Sequence, residues 1–432
     1  MDLFRLRPEI FGYTVYQPTR LEYFFINHKQ LQAITKFLPT SEVEKLKDLT
    51  STADISDDIS NGKFVALEGA LLNQTAKIEV IPRVFPLPKD TLSAPIRVYF
   101  EISLKCNGTC LYCLNSSGRV RPDALSTDEI LRIIENLGRD SILETRITGG
   151  EPTMHPDFFL IAQAIRQNNM TLSVNSNLLV NTSMLEKLID LNPDLLITSI
   201  DADKVTHTKY RGEGYNQIVQ NVRVLRNAKI NTRLNCMLSP ESLPHIEGFI
   251  DEFASMGLGF SFILSRPSGR GQQNFAPPAL SKMIPVMDML KQKRKMYPQT
   301  YFHTSFDVVM EDLLVIGGVN LTGCNAIQKS FNVNSDGTIL PCAFLYELDP
   351  RLFTIGNVRD NDNYSVLPMW RDSQLLRTLR QQSADCNIGC IQCEKFKREC
   401  LGSCIYMSLY SQLCNAVNPY CLRSIEATRP SK

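Results

Sequence analysis

Along the middle of the chain, short apolar and β-branched runs alternate with longer stretches whose apolar residues recur at helical spacing. Runs at about 97–105, 142–148, 171–176, 195–201, 230–238 and 259–265 read as strands. Stretches at about 126–138, 157–168, 182–191, 214–228, 240–256 and 280–296 read as helices. Strand then helix, six times over, predicts an α/β fold: a parallel sheet with crossover helices. The first helix opens with Ser126-Thr127-Asp128-Glu129, a capping box in which Ser and Glu satisfy each other's backbone donors.

Residues 1–80 follow a different pattern. Phe11–Tyr16 and Leu21–Asn27 read as a hairpin, helices follow at about 28–38 and 41–49, and Phe64–Glu68 reads as a strand. A proline-punctuated linker, 81–95, leads into the alternating region at 96–300, and residues 301–432 form a third, cysteine-rich segment. Two or three domains suit 432 residues. The 46 basic and 45 acidic residues are spread evenly, for a net charge of +1, which argues against nucleic acid or an anionic membrane as the main partner. The N-terminus, Met1-Asp2-Leu3-Phe4-Arg5, lacks the apolar core of a signal peptide, and no apolar run is long enough to span a membrane. A cytoplasmic chain is expected, and with it metal binding rather than disulfides for the 13 cysteines.

Three of them, Cys106, Cys110 and Cys113, follow the first strand of the alternating region with spacing Cys-x3-Cys-x2-Cys. On a tight loop this suits three corners of a [4Fe–4S] cubane and leaves the fourth iron without a protein ligand. A structural zinc loop would normally close with a fourth Cys or His, and the nearest downstream His is His155. The second strand runs into Thr148-Gly149-Gly150-Glu151-Pro152, where glycines permit a close backbone approach and a carboxylate stands ready for an ammonium group. Together these motifs resemble the radical S-adenosylmethionine (SAM) family. The resemblance implies a partial (β/α)6 TIM-like barrel whose cluster and Gly149–Glu151 lie at strand C-termini, where barrel active sites form. It also implies that the open iron chelates SAM and that Tyr112 lies beside the adenine. Ser176, Asn177, Ser199, Asp201 and Arg211 would touch the SAM ribose and carboxylate. Leu178 and Ala202 stand where the family usually has Gly. Arg266 and Arg270, after the sixth strand, either face the substrate or sit in a solvated loop.

Nine cysteines follow residue 320, and Cys236 lies alone in a strand, where its pattern predicts a core position. Their spacing, with Asn334–Cys342, Ile355–Val358 and Met369-Trp370, resembles the SPASM domain, which carries two auxiliary [4Fe–4S] clusters. By that resemblance one cluster takes Cys324, Cys342 and Cys404, and the other takes Cys390, Cys393, Cys400 and Cys421. The fourth ligand of the first is left open between Cys386, Cys414 and a vacant position. Three clusters in all are implied.

The hairpin-then-helices order at the N-terminus resembles the winged-helix RiPP recognition element, which grips the leader of a ribosomally made precursor peptide. A leader would add as a strand to a sheet edge. A stability cap over the barrel is the plainer alternative. The expected activity is a radical SAM oxidoreductase that crosslinks a precursor peptide, through carbon–sulfur or carbon–carbon bonds. A 5′-deoxyadenosyl radical would remove hydrogen from an unactivated carbon, work that needs a cofactor. A reductant such as flavodoxin or ferredoxin would supply electrons. A peptide epimerase, with Cys236, Cys386 or Cys414 as hydrogen donor, is an alternative. So is a sulfatase-maturase-like enzyme, although Ala343 replaces the Asp expected after Cys342 in that family. A non-catalytic Fe–S peptide-binding module is the remote one.

Overall fold

The computed structural model describes residues 1–46, 61–81, 87–89, 91–264, 266–274, 276–304, 315–316, 319–320, 325–361, 363–382, 393–394, 404–414, 421 and 427–428. The N-terminal unit runs β1 (Asp2–Glu9), β2 (Gly12–Gln17), β3 (Glu22–Ile26), α1 (His28–Thr35), α2 (Thr40–Glu44), α3 (Asn61–Leu72) and β4 (Ala76–Val80). Its sheet has the order β3-β2-β1-β4, antiparallel except for the β1–β4 pair. The hairpin and first helix agree with the sequence reading. The run Phe64–Glu68, expected as a strand, is helical instead. Phe64, Leu67 and Leu71 point into one core from a helix face, and that spacing outweighs the local β-branched character. Of the expected linker, 82–86 and 90 lie outside the described residues.

The main sheet has ten strands in the order β11-β10-β9-β8-β7-β6-β5-β14-β15-β16. Its first seven are β5 (Arg97–Ser103), β6 (Glu144–Gly149), β7 (Thr171–Ser176), β8 (Leu195–Ser199), β9 (Thr232–Leu238), β10 (Gly259–Leu264) and β11 (Phe302–Thr304), all parallel. Between them run α4 (Thr127–Arg139), α5 (Phe158–Gln167), α6 (Thr182–Leu191), α7 (Lys204–Arg211), α8 (Tyr215–Asn227), α9 (Ile246–Ala254), α10 (Gly271–Asn274) and α11 (Leu280–Met296). The capping box at Ser126 and Glu129 is present. Val98, Phe100, Ile147, Val174, Leu234 and Phe262 alternate along the strands into one core with the helices. The other face carries polar side chains together with Leu195 and Ile197 of β8.

The C-terminal segment continues this sheet rather than forming a separate layer. After the short hairpin β12 (Val315–Ile316) and β13 (Val319–Asn320), strand β14 (Ser330–Val333) pairs in parallel with β5, and β15 (Thr338–Leu340) and β16 (Gly356–Asn357) extend the edge. The Asn334–Gly337 turn is tied back to the barrel by Glu101, which accepts from Ser335 N (3.1 Å), Ser335 Oγ (2.8 Å), Arg121 Nε (2.9 Å) and Asn115 Nδ2 (3.1 Å).

The N-terminal unit docks on the strand N-termini of the barrel. Phe11, Tyr16 and Phe25 pack with Leu92, Ile96 and Leu143. Arg7, buried with Glu9, donates to Pro95 O (2.8 Å) and Ser141 O (3.2 Å). Among the described residues no helix is long and apolar enough to cross a membrane.

Candidate functional site

The cysteine loop leaves β5 at Ser103 and immediately meets the end of β6. Gly150 N donates to Ser103 O (2.9 Å) and Glu151 N to Lys105 O (2.8 Å). A Cβ on Gly149 would lie 2.1 Å from Ser103 O, and one on Gly150 2.3 Å from Lys105 O. The two glycines are therefore demanded by the chain's own backbone, and Gly149 also has a φ of +134°. The sequence motif is a lock between two loops before it is a ligand cradle.

Cys106, Cys110 and Cys113 are half-buried, and none is disulfide-bonded. Gly108 N points at Cys106 Sγ (3.3 Å) and Ser117 N at Cys113 Sγ (3.4 Å). Asn177 Nδ2 and Arg211 Nη1 stand 4.0 Å from Cys106 and Cys110 Sγ respectively. Burial pushes the Cys106 thiol up, with smaller contributions from Glu151, Cys110 and Cys113. Donors and a cation around three neighbouring sulfurs suit thiolates bound to iron. Among the described residues no three metal-ligating groups converge on a single ion position. A cubane, whose irons take one thiolate each, does not require that convergence, whereas zinc does.

Arg270 holds this loop. Its Nε donates to Cys110 O (2.9 Å), its Nη1 to Ser117 O (2.7 Å), and its backbone N to Cys113 O (3.0 Å). Gly269, with φ +54°, permits the approach, since a Cβ there would sit 2.0 Å from Leu114 O. Sequence reasoning offered substrate contact or solvent for Arg270; the structure gives it a bracing role. Arg266 stacks on Phe344 of the C-terminal segment at 4.6 Å.

Glu151 is fully buried and accepts from Thr153 N (3.2 Å), Thr153 Oγ1 (2.7 Å), Ser176 Oγ (2.9 Å) and Asn177 N (2.7 Å). Burial pushes its carboxyl up. Four neutral donors orient the group without supplying a positive charge, so an incoming ammonium would find a preformed counter-ion. Thr153 had no signal in the sequence beyond following Pro152.

Asp201, buried after β8, accepts from the Tyr112 hydroxyl (2.7 and 2.8 Å) and pairs with Arg211 Nε (3.3 Å). The Arg211 guanidinium lies 4.8 Å from the Tyr112 ring centre. His207 Nδ1 accepts from Asp201 N (3.3 Å), and burial lowers its pKa to about 4, so it is a neutral buttress. Ser199 ends β8 opposite Asn235. Leu178 takes the left-handed backbone (φ +56°) of the glycine it replaces, while Ala202 does not. Cys236 is fully buried on the helix-covered face, as its pattern indicated.

Of the C-terminal cysteines, Cys342, Cys393, Cys404 and Cys421 are described as free and half-buried. Burial raises the Cys342 thiol, with Cys404 the next contributor. Cys324, Cys386, Cys390 and Cys400 lie outside the described residues; Cys414 ends α16 (Ile405–Cys414), the helix that follows α12 (Asn325–Gln328), α13 (Ala343–Leu348), α14 (Leu367–Asp372) and α15 (Gln374–Gln382).

The radical SAM superfamily model matches residues 100–253, and the SPASM iron-sulfur cluster-binding model matches residues 324–394. The chain is a radical SAM enzyme with a SPASM domain. It is 26% identical over 359 residues to the mycofactocin maturase MftC of Mycobacterium ulcerans, spanning 80% of this chain and 93% of that one. Streptococcus suis SuiB bound to S-adenosylmethionine has the same fold, with TM-score 0.66 at 17% identity over 97% of this chain and 96% of that chain. SuiB bound to its precursor peptide SuiA superposes equally well, at TM-score 0.66 and 18% identity over 98% of each chain. Tyr112, Asp201 and Arg211 form one connected flank beside the cysteine loop.

Proposed function

We propose that this enzyme crosslinks a ribosomally made precursor peptide, gripping its leader with the N-terminal unit. The single observation that carries the reading is the docking of a small strand-and-helix domain on the barrel floor of a radical SAM–SPASM chain. Residues 1–80 act as the RiPP recognition element, 81–95 as linker, 96–300 as barrel and 301–432 as the SPASM domain. Strand β3 ends its sheet, and α3 lies alongside, with Lys63 near Glu22 (3.7 Å) and Val65 exposed. A leader would add to β3 as a further strand and cover Val65. The likeness to SuiB bound to SuiA and to MftC supports a peptide substrate.

When bound, the reduced cluster and SAM supply a 5′-deoxyadenosyl radical able to take hydrogen from an unactivated carbon. The protein's part is positional. Arg270 fixes the thiol loop, Glu151 offers its charge to the SAM amine, and the Asp201–Arg211 pair holds the Tyr112 ring. Cys324, Cys342 and Cys404, and Cys390, Cys393, Cys400 and Cys421, would hold two auxiliary clusters, which would supply an acceptor for the electron left on the substrate and so a net oxidation. A flavodoxin or ferredoxin in the cytoplasm supplies the reductant.

Anaerobic reconstitution with iron counting, then reduced incubation with SAM, tests the proposal. About twelve irons, 5′-deoxyadenosine release and a peptide lighter by two hydrogens are expected. About four irons would remove the auxiliary clusters. A peptide of unchanged mass in light water that gains about one mass unit in deuterated water would establish the epimerase instead.

A further inference from the structure

Deeper in the barrel, toward the strand N-termini, the other face of the sheet carries a charge cluster that the SAM site does not use. Strand alternation brings Arg97 and Tyr99 of β5, Glu144 and Arg146 of β6, Ser173 of β7 and Arg233 of β9 onto this face. Glu144 is fully buried and takes Arg97 Nη2 (2.5 Å), Arg146 Nη2 (3.0 Å) and Ser173 Oγ (2.7 Å). Arg233 stacks on Tyr301 at 3.6 Å and has no ion pair with any described carboxylate. Burial lowers its pKa to about 10, and Arg146 and Arg97 add to the lowering. Three guanidiniums face one carboxylate, so two positive charges are uncompensated there.

Further donors are in the same place. Nε of Arg97 and of Arg146 is buried without a hydrogen-bond partner, and Arg146 as a whole is 9% exposed. Natural proteins rarely leave such groups unmatched, because desolvating an unpaired charge or donor is costly. Tyr16, fully buried, closes the floor beside Glu144 and Arg97. Arg146 precedes Gly149 by three residues, about 10 Å along a strand.

We propose that Arg97, Arg146 and Arg233 form an anion site that receives a carboxylate of the substrate peptide. A guanidinium fork matches a carboxylate in charge and geometry, and Arg is suited to this in partly buried settings. The carboxylate belongs either to an Asp or Glu side chain or to the peptide C-terminus. In both cases it lies about three extended residues from the carbon that reacts. The site deepens the peptide-modifying reading and rests on the peptide entering the barrel.

The test is equilibrium binding to the reconstituted full-length enzyme with SAM present, using four synthetic probes. N-acetyl-glutamate amide carries only a side-chain carboxylate, and N-acetyl-alanyl-alanine only a terminal one; N-acetyl-glutamine amide and N-acetyl-alanyl-alanine amide are their neutral twins. The expected result is preferential binding of at least one carboxylate probe, weakened about tenfold or more by Arg233→Met and restored in part by Arg233→Lys. The probe that binds identifies the source of the carboxylate. Arg146→Gln serves if Arg233→Met does not fold, iron content reporting on folding. Equal binding of acids and amides to the parent enzyme, or an unaltered preference in the folded variant, overturns the proposal. Release of 5′-deoxyadenosine, measured separately on the parent enzyme, decides the radical reading, so the two failures are distinguishable.

Discussion

Replacing Arg270 with Met keeps the side-chain length and removes both bonds from its guanidinium to the cysteine loop. Those bonds, to Cys110 O and Ser117 O, span the segment that carries Cys110 and Cys113, two of the three thiols proposed to hold the cluster. Charge-assisted hydrogen bonds contribute about 1.5–3 kcal/mol each, and half-exposure takes this toward about 1–2. Together they favour the clamped loop by about 2–4 kcal/mol, roughly 30- to 700-fold in the opening equilibrium. The backbone bond from Arg270 N to Cys113 O survives the substitution, which argues for the lower end. The assay is chelator-driven iron loss under anaerobic conditions, followed by electron paramagnetic resonance of the reduced enzyme with and without SAM. The SAM-responsive signal should disappear faster by about the stated factor, while the other cluster signals decay at the parental rate. Arg270→Lys, able to reach one carbonyl at a time, should fall between. Loss of the SAM-responsive signal at the parental rate in Arg270→Met would refute the bracing role.

Two other outcomes follow from local geometry. Leu178→Gly removes a left-handed strain of about 1–2 kcal/mol but empties a fully buried site worth about 3–5. A net loss of about 2 kcal/mol is expected in denaturant unfolding, and a more stable variant would show that burial is misjudged. Glu129 sits at a pKa of about 2, held down chiefly by Arg359 and then by its bonds to Ser126, against the usual 4.5. Its contribution is full above pH 4.5 and is lost as pH falls through about 2. Arg359→Ala should therefore flatten the acid limb of a Tm–pH curve, by less than about 1 kcal/mol because the pair is partly exposed.

Most of the barrel was legible from alternation and helical spacing because its strands bury one face and its helices one stripe. The helix at Lys204–Arg211 was not, since its apolar content is slight and its buried face uses Thr206, His207 and Tyr210. Strand β1 also escaped notice. Its polar positions Arg7 and Glu9 look solvent-facing in sequence, yet they are buried against the barrel floor, paired with each other and with backbone carbonyls. Gly149 and Gly150 were legible because close approaches to the backbone of the cysteine loop restrict residue type there. Arg270 was ambiguous because its partners are carbonyls of a loop 153 or more residues away, which leave no side-chain signature.

The placement of the N-terminal unit beneath the barrel would, with a leader bound there as proposed, make the enzyme a ruler. The unit packs on the strand N-termini, whereas the thiol loop follows their C-terminal ends. Strand β5 alone is seven residues long, about 23 Å at the usual rise. If a leader docks on β3 as proposed, the peptide would have to climb that height outside the barrel before turning into it, at least about seven extended residues. Any tether shorter than this leaves the reactive residue out of reach, whatever its side chain.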